Sequence, residues 1–294
     1  MEMNQQQLNS EDWNKVEKKR GFFRSYARDF GKVSAGNFVL LVGNMIVFVL
    51  ALCVVMLLFP MIIPQFLPDK LKEYILDTGL VDESLVTDDA VNNMYYLMTM
   101  IASFMLCGFN LVANGPVCSA VSYYFKNVLI GENSFKDDIK KGLKDNWKKS
   151  LGAMFVSLIV TCVLLFNIGY YQNGPMSGGA MGMAAKSFFF CILSYWCCMQ
   201  LFVYPLIACV DLSFKEVYRN AAVMAIKNFP IALLVFVVQA LLFGFLPFLL
   251  VFVVGSLGYG IAMLLYLLFS FGFIGYISMY LTWRAIQKII YADN

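Results

Sequence analysis

Amide side chains are the polar groups best placed to do chemistry within the long apolar stretches of this chain. Asn110, Asn114, Gln200 and Gln239 each stand among hydrophobic neighbours. An amide offers a carbonyl acceptor and two N–H donors. Such groups can line a path for a polar solute, or they can bond one membrane helix to another. We favour the second interpretation, and the sequence leaves both open.

The chain lacks the groups on which most enzymes depend. It contains no histidine, the side chain whose unperturbed pKa lies nearest neutrality and the commonest metal ligand. The sequence shows no nucleotide-binding loop, zinc-ligand cluster or nucleophile–base pair, and its 8 cysteines fall in apolar segments, where a thiol behaves as a small hydrophobe. We therefore predict a protein that is not an enzyme, that needs neither cofactor nor metal ion, and that does not bind nucleic acid.

The composition predicts an all-α polytopic transmembrane helical bundle. Hydrophobic residues make up 60% of the chain, charged residues 14%, and the mean hydropathy is +0.70, outside the range of soluble domains. About 20 helical residues cross a hydrocarbon core of about 30 Å. We predict a cytoplasmic N-terminal segment (1–35), a membrane domain (36–282) and a tail (283–294). The six predicted spans, arranged as three hairpins, are 36–59, 92–113, 151–171, 187–210, 231–253 and 259–282.

The charges are distributed unequally between the two sides of the predicted membrane domain. Of the 22 lysines and arginines, only Lys70, Lys72 and Lys186 fall on the outer side, so the positive-inside rule predicts that both termini are cytoplasmic. The outer loop 60–91 is rich in carboxylates. Within it, "PDKLKEYILDTG" predicts a short helix that opens at Pro68 and closes at Gly79. The loop is either a solvated cap or an acidic docking surface.

The uncharged run from Ala90 to Phe125 is too long for one crossing and contains Asn114, Gly115 and Pro116. Proline is tolerated at the first turn of a helix, and a preceding Asn or Gly is a favoured cap. We predict two helices separated at these three residues, with the second ending at Gly131. Irregular backbone at membrane depth must be covered by protein or water, which places the break in the bundle interior or at the cytoplasmic boundary.

The three spans that leave the cytoplasm share an entrance of basic residues followed by an asparagine and an aromatic ring. This pattern predicts a basic amphipathic helix that lies on the anionic lipids of the inner leaflet and is turned into the span by an Asn cap. The second of these helices belongs to the inner connection 116–150. Either a threefold repeat or convergent membrane-entry chemistry explains the pattern. The entry pairs are Asn37-Phe38, Asn146-Trp147 and Asn228-Phe229.

Two segments resemble a known family. "GPVCSAVSYYFKNVLIGENSFKDDIKKGLKDNWKKSL" and "FGKVSAGNFVLL" resemble the YesL-like integral membrane proteins of Gram-positive bacteria, which are often encoded near carbohydrate ABC transporters. The resemblance implies a multi-pass protein of the bacterial cytoplasmic membrane, with ABC transporter subunits as candidate partners and no catalytic residues.

These observations favour a non-enzymatic accessory or partner-binding role, linked by the resemblance to carbohydrate uptake. The alternative is a small-solute transporter or channel. Coupling through a buried carboxylate is disfavoured because the predicted spans contain no Asp or Glu, and Asp211 lies just beyond the fourth. The residues that would either stabilise the bundle or line a path are Asn110, Asn114, Gly115, Pro116, Gln200 and Gln239.

Overall fold

The computed structural model describes residues 21–79, 82–175 and 177–292. Within these ranges the regular elements are helical, with short 3₁₀ turns at Pro64–Phe66 and Glu83–Leu85 and π-helical turns at Leu241–Phe245 and Tyr266–Ser270. The first five helices are α1 (Phe22–Ile62), α2 (Pro68–Thr78), α3 (Asp88–Gly108), α4 (Gly115–Ile130) and α5 (Phe135–Asn173). The others are α6 (Gly179–Cys209), α7 (Phe214–Lys227), α8 (Phe229–Ala240), α9 (Leu246–Val254), α10 (Ser256–Leu265) and α11 (Phe271–Ala292).

Six helical stretches of the described chain are long and apolar enough to cross a membrane, which confirms the predicted all-α polytopic bundle. They are α1, α3, α5, α6, the stretch Phe229–Val251 and the stretch Leu257–Gln287. With 41 and 39 residues, α1 and α5 are about 61 and 58 Å long at 1.5 Å per residue. Each therefore extends well beyond a hydrocarbon core of about 30 Å.

Two of the three predicted turns at the cytoplasmic entrances are wrong. Helix α1 continues without interruption through Asn37, and α5 continues through Asn146. Only at Asn228, between α7 and α8, does one helix end and another begin. Pro230 follows Asn228 by two residues, and an unbroken helix is disfavoured here because proline has no N–H for the carbonyl four residues earlier and its ring clashes with that carbonyl. Val39 and Lys148 at the corresponding positions impose no such restriction.

The N-terminal end of α1 packs along α11 instead of lying apart as a surface helix. The Phe22 and Tyr26 rings contact the Phe273 and Tyr276 rings, with centroids 5.2–6.1 Å apart. The Tyr276 hydroxyl donates a 2.9 Å hydrogen bond to the buried carboxylate of Asp29. The basic helix predicted within 1–35 is thus, from Phe22 onward, the first part of a spanning helix; residues 1–20 lie outside the described chain.

The predicted short helix of the outer loop is confirmed. Helix α2 begins at Pro68, and Gly79 follows it in the left-handed conformation at φ 59°. Lys70 forms an ion pair with Glu73 at 2.6 Å, and Lys72 forms one with Asp88 at 2.7 Å. The second pair ties α2 to the first turn of α3.

Candidate functional site

The interruption between α3 and α4 brings most of the amide side chains together, and it confirms the prediction of two helices. The break begins earlier than predicted, because α3 ends at Gly108 and Asn110 has φ 57°. The Asn110 N–H donates to the Cys107 carbonyl, and the Leu111 N–H donates to the Leu106 carbonyl, both at 3.0 Å. This pattern is a Schellman ending, with asparagine in the left-handed position that glycine usually occupies.

The segment 109–114 lies in the bundle interior, one of the two predicted locations. Helix α1 supports it through Asn44, whose Oδ1 accepts a 2.8 Å hydrogen bond from the Asn114 N–H. In return, Nδ2 of Asn114 donates to the Gly43 carbonyl at 3.0 Å. Asn114 stands at the predicted cap position of α4, but its side chain does not cap that helix. The amide bonds two helices together, as we favoured for such groups.

Helix α5 holds the other side of the break. The Ser157 hydroxyl lies 2.9 Å from the Asn110 carbonyl and 3.1 Å from the Leu111 carbonyl. One turn into α4, the Ser119 and Ser150 hydroxyls lie 2.6 Å apart. Gly115 is so close to α5 that a Cβ atom there would lie 2.1 Å from the Ser150 carbonyl oxygen. The crossing of α4 and α5 therefore depends on the absence of a side chain at residue 115.

Gln239 joins the site from α8, and Gln200 does not line it. Gln239 is fully buried, and its Nε2 donates to the Gly108 carbonyl at 3.2 Å, at the end of α3. The amide of Gln200 is buried in α6 and has no hydrogen-bond partner within the described chain. Pro116 occupies the first turn of α4, as predicted.

A small cavity of about 30 Å³ lies beside the break. Asn44 and Asn110 line it, together with Tyr204 from α6 and Ser278 from α11. The Tyr204 and Ser278 hydroxyls are buried and form no hydrogen bond with described residues. About one water molecule fits a space of this size, so a sugar-sized solute does not fit this cavity in this conformation. Sequence reasoning missed Ser157, Tyr204 and Ser278, because isolated hydroxyls in apolar helices carry no distinctive pattern.

The arrangement at the break can hydrogen-bond neutral groups but offers no charged side chain. Its contributors are amides, hydroxyls and backbone carbonyls, with the Cys118 thiol directed at the Asn110 side chain at 3.8 Å. Elsewhere in the described chain, no group of three or more His, Cys, Asp or Glu residues could hold a metal ion. This geometry can stabilise the interrupted backbone between α3 and α4. Whether the amides also line a path stays a prediction.

The predicted entry pairs do not form equivalent sites. The Phe38, Trp147 and Phe229 rings are about half exposed on the bundle surface. Asn37 is completely buried beside the π-helical turn before α11: its Nδ2 donates to the Tyr266 and Leu267 carbonyls, and its Oδ1 accepts from the Gly272 N–H at 2.7 Å. Asn37 thus pairs backbone groups of the last span, so its predicted role as an entry cap is wrong.

Comparison of the chain with protein-family models, with curated proteins and with solved structures finds no match.

Proposed function

We propose that this multi-pass membrane protein is a non-enzymatic accessory subunit that binds a membrane protein partner. The proposal rests on the hydrogen bonds that the interior amide side chains form. Asn44, Asn114 and the Nε2 group of Gln239 are engaged with backbone groups of neighbouring segments, and the cavity beside them holds about 30 Å³. A centre built in this way supports a fixed bundle better than it supports solute passage. The resemblance to YesL-like proteins favours ABC transporter subunits for carbohydrate uptake as the partner.

The proposed location is the bacterial cytoplasmic membrane, with both termini in the cytoplasm. The Lys and Arg distribution supports this orientation, and the exposed basic start of α5 suits contact with anionic inner-leaflet lipids. In a variant without the native cysteines, single cysteines at Glu83 and Ser177 are expected to react with an impermeant reagent from outside. A cysteine at Asp138 is expected to stay unlabelled until the membrane is opened. The reverse pattern would invert the orientation.

The accessory role is tested with protein purified from native membranes into lipid nanodiscs, followed by mass spectrometry. We expect one membrane partner in a fixed ratio, and we expect the solute uptake of that partner to change when this chain is removed. The purified chain alone, reconstituted into vesicles, is expected to move neither sugars nor ions. Saturable uptake by the chain alone would reject the accessory role.

A transporter or channel is the second candidate, and the discontinuous α3–α4 pair favours it. Interrupted helices with unwound backbone at membrane depth form the substrate sites of many transporters. The unpartnered Tyr204 and Ser278 hydroxyls border the interruption. If this candidate is correct, Tyr204→Phe and Ser278→Ala alter uptake by the reconstituted chain while leaving its stability almost unchanged.

A further inference from the structure

A second, much larger cavity lies at the lateral surface of the bundle, between α3 and the hairpin formed by α9 and α10. Its volume is about 610 Å³, within the range of about 300–1,000 Å³ that is typical of small-molecule sites. Leu97 and Ile101 line one wall, and Phe248 and Val251 line the other. We call this cavity the lateral groove. Its walls belong to stretches that are long and apolar enough to span the membrane, so the groove opens toward hydrocarbon.

The lateral groove extends along α3 from Ala90 to Ile101. At 1.5 Å per residue this part of the helix is about 17 Å long, and one leaflet contributes about half of a hydrocarbon core of about 30 Å. The groove therefore matches one leaflet in depth. It ends near the middle of the membrane, where the acyl chain of a lipid from that leaflet also ends.

Polar and aromatic groups mark the end of the groove nearest α2. Asn93 and Tyr96 lie there on α3, and Tyr96 is 61% exposed. Such rings favour the headgroup level of a membrane. Asp88 and Asp89 stand in the first turn of α3 beside the opening. Asp88 forms an ion pair with Lys72. Asp82 and Glu83, in the loop before α3, are also exposed.

We propose that the lateral groove binds the acyl chain of a zwitterionic membrane lipid from the leaflet on the α2 side. The apolar walls match the chain in length and chemistry. The exposed carboxylate of Asp89, next to the groove-lining Ala90, attracts the ammonium group of a zwitterionic headgroup and repels a headgroup of net negative charge, because exposed charges within about 8–10 Å of each other interact in physiological salt. This inference goes beyond the accessory role and does not depend on it.

The test uses the full chain in phosphatidylcholine vesicles that contain a trace of photoreactive lipid with a diazirine in the acyl chain. One probe is phosphatidylcholine and the other is anionic phosphatidylglycerol with the same chain. After illumination, mass spectrometry locates the labelled residues. We expect phosphatidylcholine label to concentrate on 94–101 and 248–251, with weaker label there from phosphatidylglycerol.

Two variants place an indole in the lateral groove: Leu97→Trp in its wall and Ala90→Trp at its opening. Each is expected to lower the label on 248–251 to the level of other lipid-facing positions. The matched control is Leu234→Trp, at an exposed position of α8 outside the groove, which is expected to retain the label. Size-exclusion profiles show whether each variant folds. If Leu97→Trp does not fold, Ala90→Trp still provides the test, because residue 90 is exposed.

Three results would contradict the proposal. Even labelling around the bundle would reject the binding site. Equal labelling by the two probes would reject selection by the acidic opening. Crosslinking of groove residues to a second copy of this chain, or to another protein, would show that a protein occupies the groove in place of a lipid chain.

Discussion

The helix interruptions at Asn114 and at Asn228 have the same local chemistry but very different surroundings. In each, an asparagine occupies the cap position, makes no capping hydrogen bond with its side chain, and is followed two residues later by a proline in the first turn of the next helix. The first interruption is buried between α1, α5 and α8 and bonded to each. The second is partly exposed, and among the described residues the Asn228 side-chain amide bonds to the Met224 carbonyl of α7. The local sequence determines where a helix ends. Packing determines which neighbouring helices form hydrogen bonds with the interrupted segment.

The largest expected difference between the two interruptions concerns Gly115. In Gly115→Val the new side chain would collide with the Ser150 carbonyl of α5, and we expect a loss of about 3 kcal/mol in unfolding free energy from overpacking. The residue at the same place in the second interruption, Phe229, is exposed, so Phe229→Val is expected to be mild. Denaturant titration in mixed micelles measures both.

The matched control for the added bulk is Gly260→Val, since a Cβ at Gly260 meets no atom within 4 Å. If Gly115→Val is no worse than this control, the close α4–α5 crossing does not constrain residue 115.

The next prediction compares the asparagines that serve each interruption. Asn44→Ala removes the acceptor of the Asn114 N–H, and a buried donor left without a partner costs about 1–3 kcal/mol. Asn228→Ala removes one half-buried hydrogen bond within a helix, at a cost below about 1 kcal/mol. Hydrogen exchange of the Asn114 amide should accelerate in the first variant alone. Equal costs would mean that burial does not distinguish the two sites.

A smaller effect is expected from the backbone at Asn110. Because φ is 57° there, Asn110→Ala should cost about 1–2 kcal/mol, whereas Asn110→Gly should relieve that penalty. At Asn228 φ is −110°, so alanine and glycine should not show this order. A more stable Asn110→Ala than Asn110→Gly would contradict the left-handed conformation.

The smallest expected effect is a response to acid at the start of α7, the helix whose other end forms the second interruption. Hydrogen bonding to Lys149 lowers the pKa of Asp211, and bonding to the Ser213 hydroxyl and N–H lowers the pKa of Glu216 at the start of α7. A lowered carboxyl pKa gives stability that is present above the unfolded value of about 4 and is lost as pH falls through the folded value. Protection of the first α7 amides, corrected for intrinsic exchange, should therefore fall below about pH 4.

The same acid step should leave protection of the 109–114 amides unchanged, since the side chains that bond this segment are uncharged amides and hydroxyls. If acid lowers the protection of the 109–114 amides as much as that of the first α7 amides, a titrating group also supports the first interruption.

The sequence by itself determined the helical class, the six spans, the helix α2, and the interruption before Pro116. Each follows from local quantities: the length of an apolar run, a proline that suits the first turn of a helix, and a glycine that accepts a positive φ. The entry motif shows where such reasoning fails. Three similar stretches predicted three turns, and the backbone turned only where Pro230 restricts it.

Only the tertiary structure decided what the polar side chains bond. Asn37 and Asn44 look alike in sequence, yet the first pairs with the π-helical turn of the last span and the second with the loop after α3. The same holds for Asp29, which stands among charged residues in sequence and is buried against Tyr276 in the fold. A hydrogen bond across helices depends on the rotation and depth of both partners, and periodicity along one chain segment does not specify them.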